Sequence, residues 1–130
     1  MSSTQLRLAY KARPLVAVVC VVPLLGEAME SALDFADVQV FPAGRGDLAG
    51  LLRWLRPSAL IVDSEAGAGE AAAVVCESGL PVLYVSVQEQ TLRLYRNGAW
   101  ERLGNGDEPT PESIRNVLAG ALFAGETPKG

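Results

Sequence analysis

The chain contains no histidine, and its only lysines are Lys11 and Lys129. Without an imidazole it lacks the commonest general base at neutral pH, the usual activator of a serine or cysteine nucleophile, and the commonest metal ligand. An enzymatic role is therefore not expected, nor is a metal or other cofactor. Cysteine is sparse too. Cys20 and Cys76 are too few for a disulfide framework, and each sits in an apolar run where a free thiol behaves as a small hydrophobe. A reducing, cytoplasmic setting is the expectation. Positive charge is also short: 11 basic residues stand against 15 acidic ones, the net charge is -4, and no run of Lys or Arg could neutralise successive phosphates. Direct nucleic-acid binding is not expected. The apolar stretch from Pro14 to Leu25 is too short to cross a bilayer. With Lys11 and Arg13 ahead of it, it has a superficial likeness to a signal peptide. Its valine-rich composition and its passage straight into a helical pattern favour a core strand instead, and no membrane association is expected.

What is present suits one compact domain: 130 residues, 49% hydrophobic and 20% charged, can bury a sizeable core. We divide the chain into an N-terminal extension (1–14), a single domain (15–123) and a C-terminal tail (124–130). Leu15 to Val22 is a continuous β-branched run, the mark of a strand covered on both faces. From Leu25 the spacing Leu25, Ala28, Met29, Ala32, Leu33 follows one face of a helix. Val38 to Ala43 reads as a short strand, with Pro42 placing its end near a sheet edge. Asp47 is a predicted N-cap for a helix carrying Leu48, Leu51, Leu52 and Leu55, and Pro57 stops that helix. A third strand ends at Asp63. Gly67 and Gly69 read as a loose turn, Ala71 to Ser78 as a short helix with Gly79 at its C-cap, and Pro81 to Val87 as a fourth strand. Strands alternating with helices at this interval predict βαβ units and a parallel sheet.

The alternation then breaks. Thr91 to Leu103 holds Asn97-Gly98 between two strand-like segments, the strongest short signal for a two-residue hairpin. The predicted register sets Arg96 against Ala99, Tyr95 against Trp100, Leu94 against Glu101, Arg93 against Arg102 and Leu92 against Leu103. One face then carries Leu92, Leu94, Ala99 and Leu103, the other Arg93, Tyr95, Trp100 and Arg102. Two arginines directly opposite need something negative or aromatic to satisfy them, and Tyr, Trp and Arg together are the usual makings of a binding hot spot. This face is the expected contact with a protein partner or a second copy of the chain, a homodimer being the favoured form. The alternative is that Trp100 and Tyr95 only cover the sheet edge while the arginines stack on them. Thr110 and Pro111 then open a last helix with Ile114, Val117, Leu118, Ala121 and Leu122 on one face.

From Leu15 to Val87 these residues resemble the receiver domain of bacterial response regulators. Pro23-Leu24-Leu25-Gly26-Glu27-Ala28-Met29 is similar to the start of that family's first helix. Arg56 to Asp63 is similar to its third strand, which ends in the phosphoacceptor aspartate, and Pro81 to Ser86 to its fourth, which ends in a Thr or Ser. The resemblance implies a three-layer, flavodoxin-like α/β fold with a parallel sheet, here with a β-hairpin in place of the fourth crossover helix. It makes Asp63 the acceptor and Ser86 the hydroxyl switch. The departures are informative. Cys20, Val21 and Val22 stand where the family holds Mg²⁺ with two acids, and a thiol with two valines cannot replace hard oxygen ligands. The family's Met-Pro loop is replaced by Ser64 to Gly69, and its lysine near the end of strand five is missing. Asp63, Ser86, Cys20 and Val21 therefore read as a vestigial phosphoacceptor pocket. The implied function is a phosphorylation-independent signalling or regulatory interaction module.

Two alternatives stand beside this. One is a receiver still phosphorylated on Asp63 by an unusual route. The other is a small-ligand or nucleotide-binding protein, since Gly67-Ala68-Gly69-Glu70-Ala71-Ala72 formally satisfies G-x-G-x-x-A. That motif belongs to a first βα turn, and Glu70 would face a pyrophosphate with the wrong charge. For Asp63, the plain structural reading is a carboxylate that caps the turn before the third helix or is solvated at a strand end.

Overall fold

The computed structural model describes residues 13–44, 47–75, 78–86, 89–96, 98–103 and 110–123. The elements, in chain order, are β1 (Leu15–Cys20), α1 (Pro23–Ala32), β2 (Asp37–Pro42), α2 (Leu48–Leu55), β3 (Ala59–Val62), α3 (Glu65–Val75), β4 (Val82–Ser86), β5 (Thr91–Arg96), β6 (Ala99–Leu103) and α4 (Pro111–Phe123). The strands form one six-stranded sheet in the order β2-β1-β3-β4-β5-β6. β2, β1, β3 and β4 are mutually parallel, while β5 runs antiparallel to β4 and β6 antiparallel to β5. The order of the first five strands matches that of flavodoxin-like sheets, but the fifth is reached by a short turn and so runs the opposite way.

Helices cover both faces. On one, Met29 of α1, its C-cap residue Leu33, and Ile114 and Leu118 of α4 pack on Val16, Val18, Ile61, Leu83, Leu92 and Leu94. On the other, Leu48 and Leu52 of α2 and Ala68, Ala71 and Val75 of α3 pack on Ala17, Leu60, Val62, Val82 and Tyr84. β1, β3 and β4 lie between the two layers, which is why their sequences are apolar without alternation. β2 is an edge strand, in keeping with Pro42. α1 approaches it closely at Gly26, where a β-carbon would sit 2.5 Å from Val40 Cγ1. α4 is capped as its sequence predicts: the Ser113 N–H donates to Thr110 Oγ1 (3.1 Å) and the Thr110 N–H to Ser113 Oγ (2.9 Å).

Two local expectations are corrected. α3 begins at Glu65, six residues before Ala71, so Gly67 and Gly69 lie inside a helix rather than in a turn. Ser64 makes this possible by accepting the Gly67 N–H on its Oγ (3.0 Å) and the Ala68 N–H on its carbonyl (2.9 Å), which satisfies first-turn amides that glycine propensity alone would not hold. Asp47 occupies the N-cap position of α2, but its side chain makes no capping bond; only its carbonyl accepts, from Leu51 N–H. α2 ends where Pro57 bars its continuation, with Arg56 as a left-handed C-cap (φ 53°) whose N–H donates to the Leu52 carbonyl.

The hairpin register is the one expected, from Leu92 opposite Leu103 to Arg96 opposite Ala99. Gly98 has the positive φ (81°) that a tight hairpin turn requires. Asn97, Cys76, the linker 104–109, the tail 124–130 and most of the N-terminal extension lie outside the described residues.

Candidate functional site

The parallel register sets Val19 of β1 opposite Val62 of β3. The next residues, Cys20 and Asp63, therefore meet at the carboxyl end of the sheet, where the chain leaves β1 for one side and β3 for the other. Such a switch point is where ligands of open α/β sheets bind. Here the Asp63 carboxylate bridges it. Val21 N–H donates to Asp63 Oδ1 at 2.8 Å and Val22 N–H to Asp63 Oδ2 at 3.0 Å. Val22 is the N-cap residue of α1 and Pro23 its first helical residue, so these amides open the helix and have no acceptor of their own. Asp63 supplies one from a different strand, at an end of the helix dipole that favours negative charge.

The neighbouring side chains follow from this. Cys20 points into the core, only 4% exposed, whereas Val21 and Val22 turn outward, 62% and 48% exposed. Val21 meets Asp63 through its backbone and forms no plug over it. Burial raises the Cys20 thiol pKa, the Asp63 charge raises it further, and the Gly26 N–H pulls the other way. The thiol is inert and protonated at neutral pH. Ser86 is buried at the end of β4, and its Oγ accepts the Glu89 N–H (3.1 Å), which ties down the turn into β5. Cys20, Val21 and Asp63 are thus brought together, while Ser86 serves its own turn. Among the described residues no cluster of three or more His, Cys, Asp and Glu could hold a metal ion.

With the geometry in hand, the chain can be set beside known proteins. No family model matches it, and no curated protein sequence does. A solved structure shares its fold. The chain superposes on the anti-anti-sigma factor PhyR from Bartonella quintana with a TM-score of 0.62 over 97% of its own length, at 12% sequence identity. It spans 54%, about half, of that protein. At this identity the likeness carries the mixed α/β architecture and not the side chains of a site.

The second candidate region is the hairpin. Tyr84 of β4, Arg93 of β5 and Arg102 of β6 form one row across the sheet, and Val82, Tyr95 and Trp100 the next. Tyr95 is buried, 8% exposed, inside the cluster beneath α2 and α3, so its ring is a support and not a contact surface. Trp100 rests on it with ring centroids 5.1 Å apart and meets Tyr84 edge-on at 6.4 Å. Trp100 remains 36% exposed. Arg93 reaches Glu89 at 4.0 Å, a long and exposed ion pair, while Arg102 projects into solvent. Of the four residues expected to face a partner, Arg93, Trp100 and Arg102 are accessible.

Sequence reasoning missed the acceptor role of Asp63 toward α1. A signal existed: Pro23 at a helix start announces unpaired amides just before it, and the nearest acid is the one ending the adjacent strand. It also missed Trp54, 76% exposed on α2. No helix in the described residues is long and apolar enough to cross a membrane.

Proposed function

We propose that the chain is a regulatory interaction module of the receiver-like, flavodoxin-like class, working without phosphorylation and without enzymatic chemistry of its own. The observation that carries this reading is the engagement of Asp63. Both carboxylate oxygens are committed to the amides that open α1, and the positions where a receiver would place metal-binding acids are a buried thiol and two outward valines. A phosphoacceptor must present a free oxygen beside a cation; here the same carboxylate holds the fold together. The shared architecture with PhyR, named an anti-anti-sigma factor, supports the same reading.

Contact is made through the hairpin face of Arg93, Trp100 and Arg102. It is a cationic, aromatic patch on a chain of net charge -4, and a rigid Trp flanked by arginines is the usual centre of a protein interface. A symmetric pairing of this face would bring four guanidiniums together, so the reading favours an acidic protein partner over a homodimer. Trp100→Ala with Arg102→Ala should weaken partner binding, or self-association seen by sedimentation, at least tenfold while the thermal midpoint of the domain holds. Unchanged association would refute the assignment. Incubation with acetyl phosphate and Mg²⁺ should leave the intact mass unaltered; an adduct lost in Asp63→Ala would establish the phosphorylatable alternative instead.

A further inference from the structure

Between α2 and α3, over the carboxyl ends of β1, β2 and β3, lies a groove of roughly 580 Å³. This is within the range of small-molecule sites. Its floor is apolar: Val19, Phe41, Leu48, Leu51 and Val62 line it. Its polar lining is Ser64, whose hydroxyl already caps α3, and two carboxylates, Asp47 and Glu70, both on exposed residues. The Asp47 carboxylate makes no capping bond to the helix it precedes; its Oδ2 lies instead 2.8 Å from where a β-carbon on residue 50 would be, a place left open because that residue is glycine. No basic residue is among the described lining residues.

We infer that this groove binds a small organic cation with an apolar or aromatic body. The sign of the charge follows from what surrounds the groove. An anion at this end of the sheet would seek the amides that open α1, and Asp63 already occupies them. A nucleotide would also lack a glycine-rich phosphate loop, since Gly67 and Gly69 are helical. A cation meets two exposed carboxylates in the lining, and half-buried Phe41 adds an aromatic ring to the apolar enclosure. The site is separate from the hairpin face and does not rest on that assignment.

The test is a ¹⁵N NMR titration of the whole chain with benzyltrimethylammonium, beside the anion 3-phenylpropanoate and the neutral benzyl alcohol. The expected result is saturable shifts on groove residues with the cation, about tenfold tighter than with either of the other two. Asp47→Asn with Glu70→Gln, both at exposed positions, should weaken the cation by about tenfold without moving the thermal midpoint, and Leu51→Trp should fill the groove and block it. Absence of saturable shifts, equal binding of the anion or the alcohol, or wild-type affinity in the double variant would overturn the inference.

Discussion

Replacing Asp63 by alanine should destabilise the protein, and the size of the effect follows from its two bonds. The carboxylate accepts at 2.8 Å and 3.0 Å from consecutive amides at the start of α1. Hydrogen bonds to a charged group contribute about 1.5–3 kcal/mol each when removal leaves a buried amide stranded. These two lie at a partly exposed site, where water can replace the lost acceptor, so the pair belongs in the range of helix N-caps, about 1–2 kcal/mol in all. For a domain of this size that corresponds to a fall of about 4–7 °C in the thermal midpoint. Asp63→Asn keeps one acceptor and turns an amide group toward the other N–H, so it should recover less than half of the loss. The assay is thermal unfolding at neutral pH, with hydrogen exchange read at Val21 and Val22. Their amides should exchange at least tenfold faster in Asp63→Ala, while those of β3 change only with global stability. An active-site carboxylate held in a strained setting behaves in the opposite way, since its removal is commonly neutral or stabilising. A midpoint equal to or above wild type, with unchanged exchange at Val21 and Val22, would refute the capping role.

Gly26→Ala should destabilise by about 1–2 kcal/mol although alanine is the better helix former, because the added methyl meets Val40 Cγ1 at 2.5 Å; urea unfolding of Gly26→Ala with Val40→Ala should recover most of it, and additive losses would disprove the contact. Cys20 supplies a pH dependence of known sign. Its pKa is raised above the ordinary 9.0, so between the unfolded and folded values the native state holds the extra proton and stability falls as pH rises. The contribution is complete below pH 9.0 and lost on passing through the folded value. In a Cys76→Ser background, denaturant midpoints should drop more steeply above that pH with Cys20 than with Cys20→Ala; parallel curves would contradict the burial.

The elements that could be read from the chain are those whose cause is local. The β-branched runs of β1 and β4, the Thr110-Pro111 start of α4 and the hairpin register set by Asn97-Gly98 each depend on residues within a few positions of one another, and each is found where it was expected. The break in βαβ alternation was legible for the same reason, as no helix-length segment separates β4 from β5. α3 was misread because glycine propensity in isolation argues for a turn, whereas a capping serine and a packed face against the sheet override it. Tyr95 was placed on the correct face, but alternation cannot tell a solvated face from one that α2 and α3 partly cover. The meaning of Asp63 lay furthest out of reach. Its sequence position marked it as a strand-end acid, the receiver resemblance made it a phosphoacceptor, and neither pointed to the first helix. Its partners are 42 and 41 residues away, and they meet it only because β1 and β3 are neighbours in the sheet, with an alignment that brings the amides opening α1 to the end of β3. Sequence alone thus determined the core strands, the last helix and the hairpin, whose energies are summed along the chain; the tertiary structure alone decided that this carboxylate is a staple across the switch point, because that role exists only where two distant strand ends are side by side.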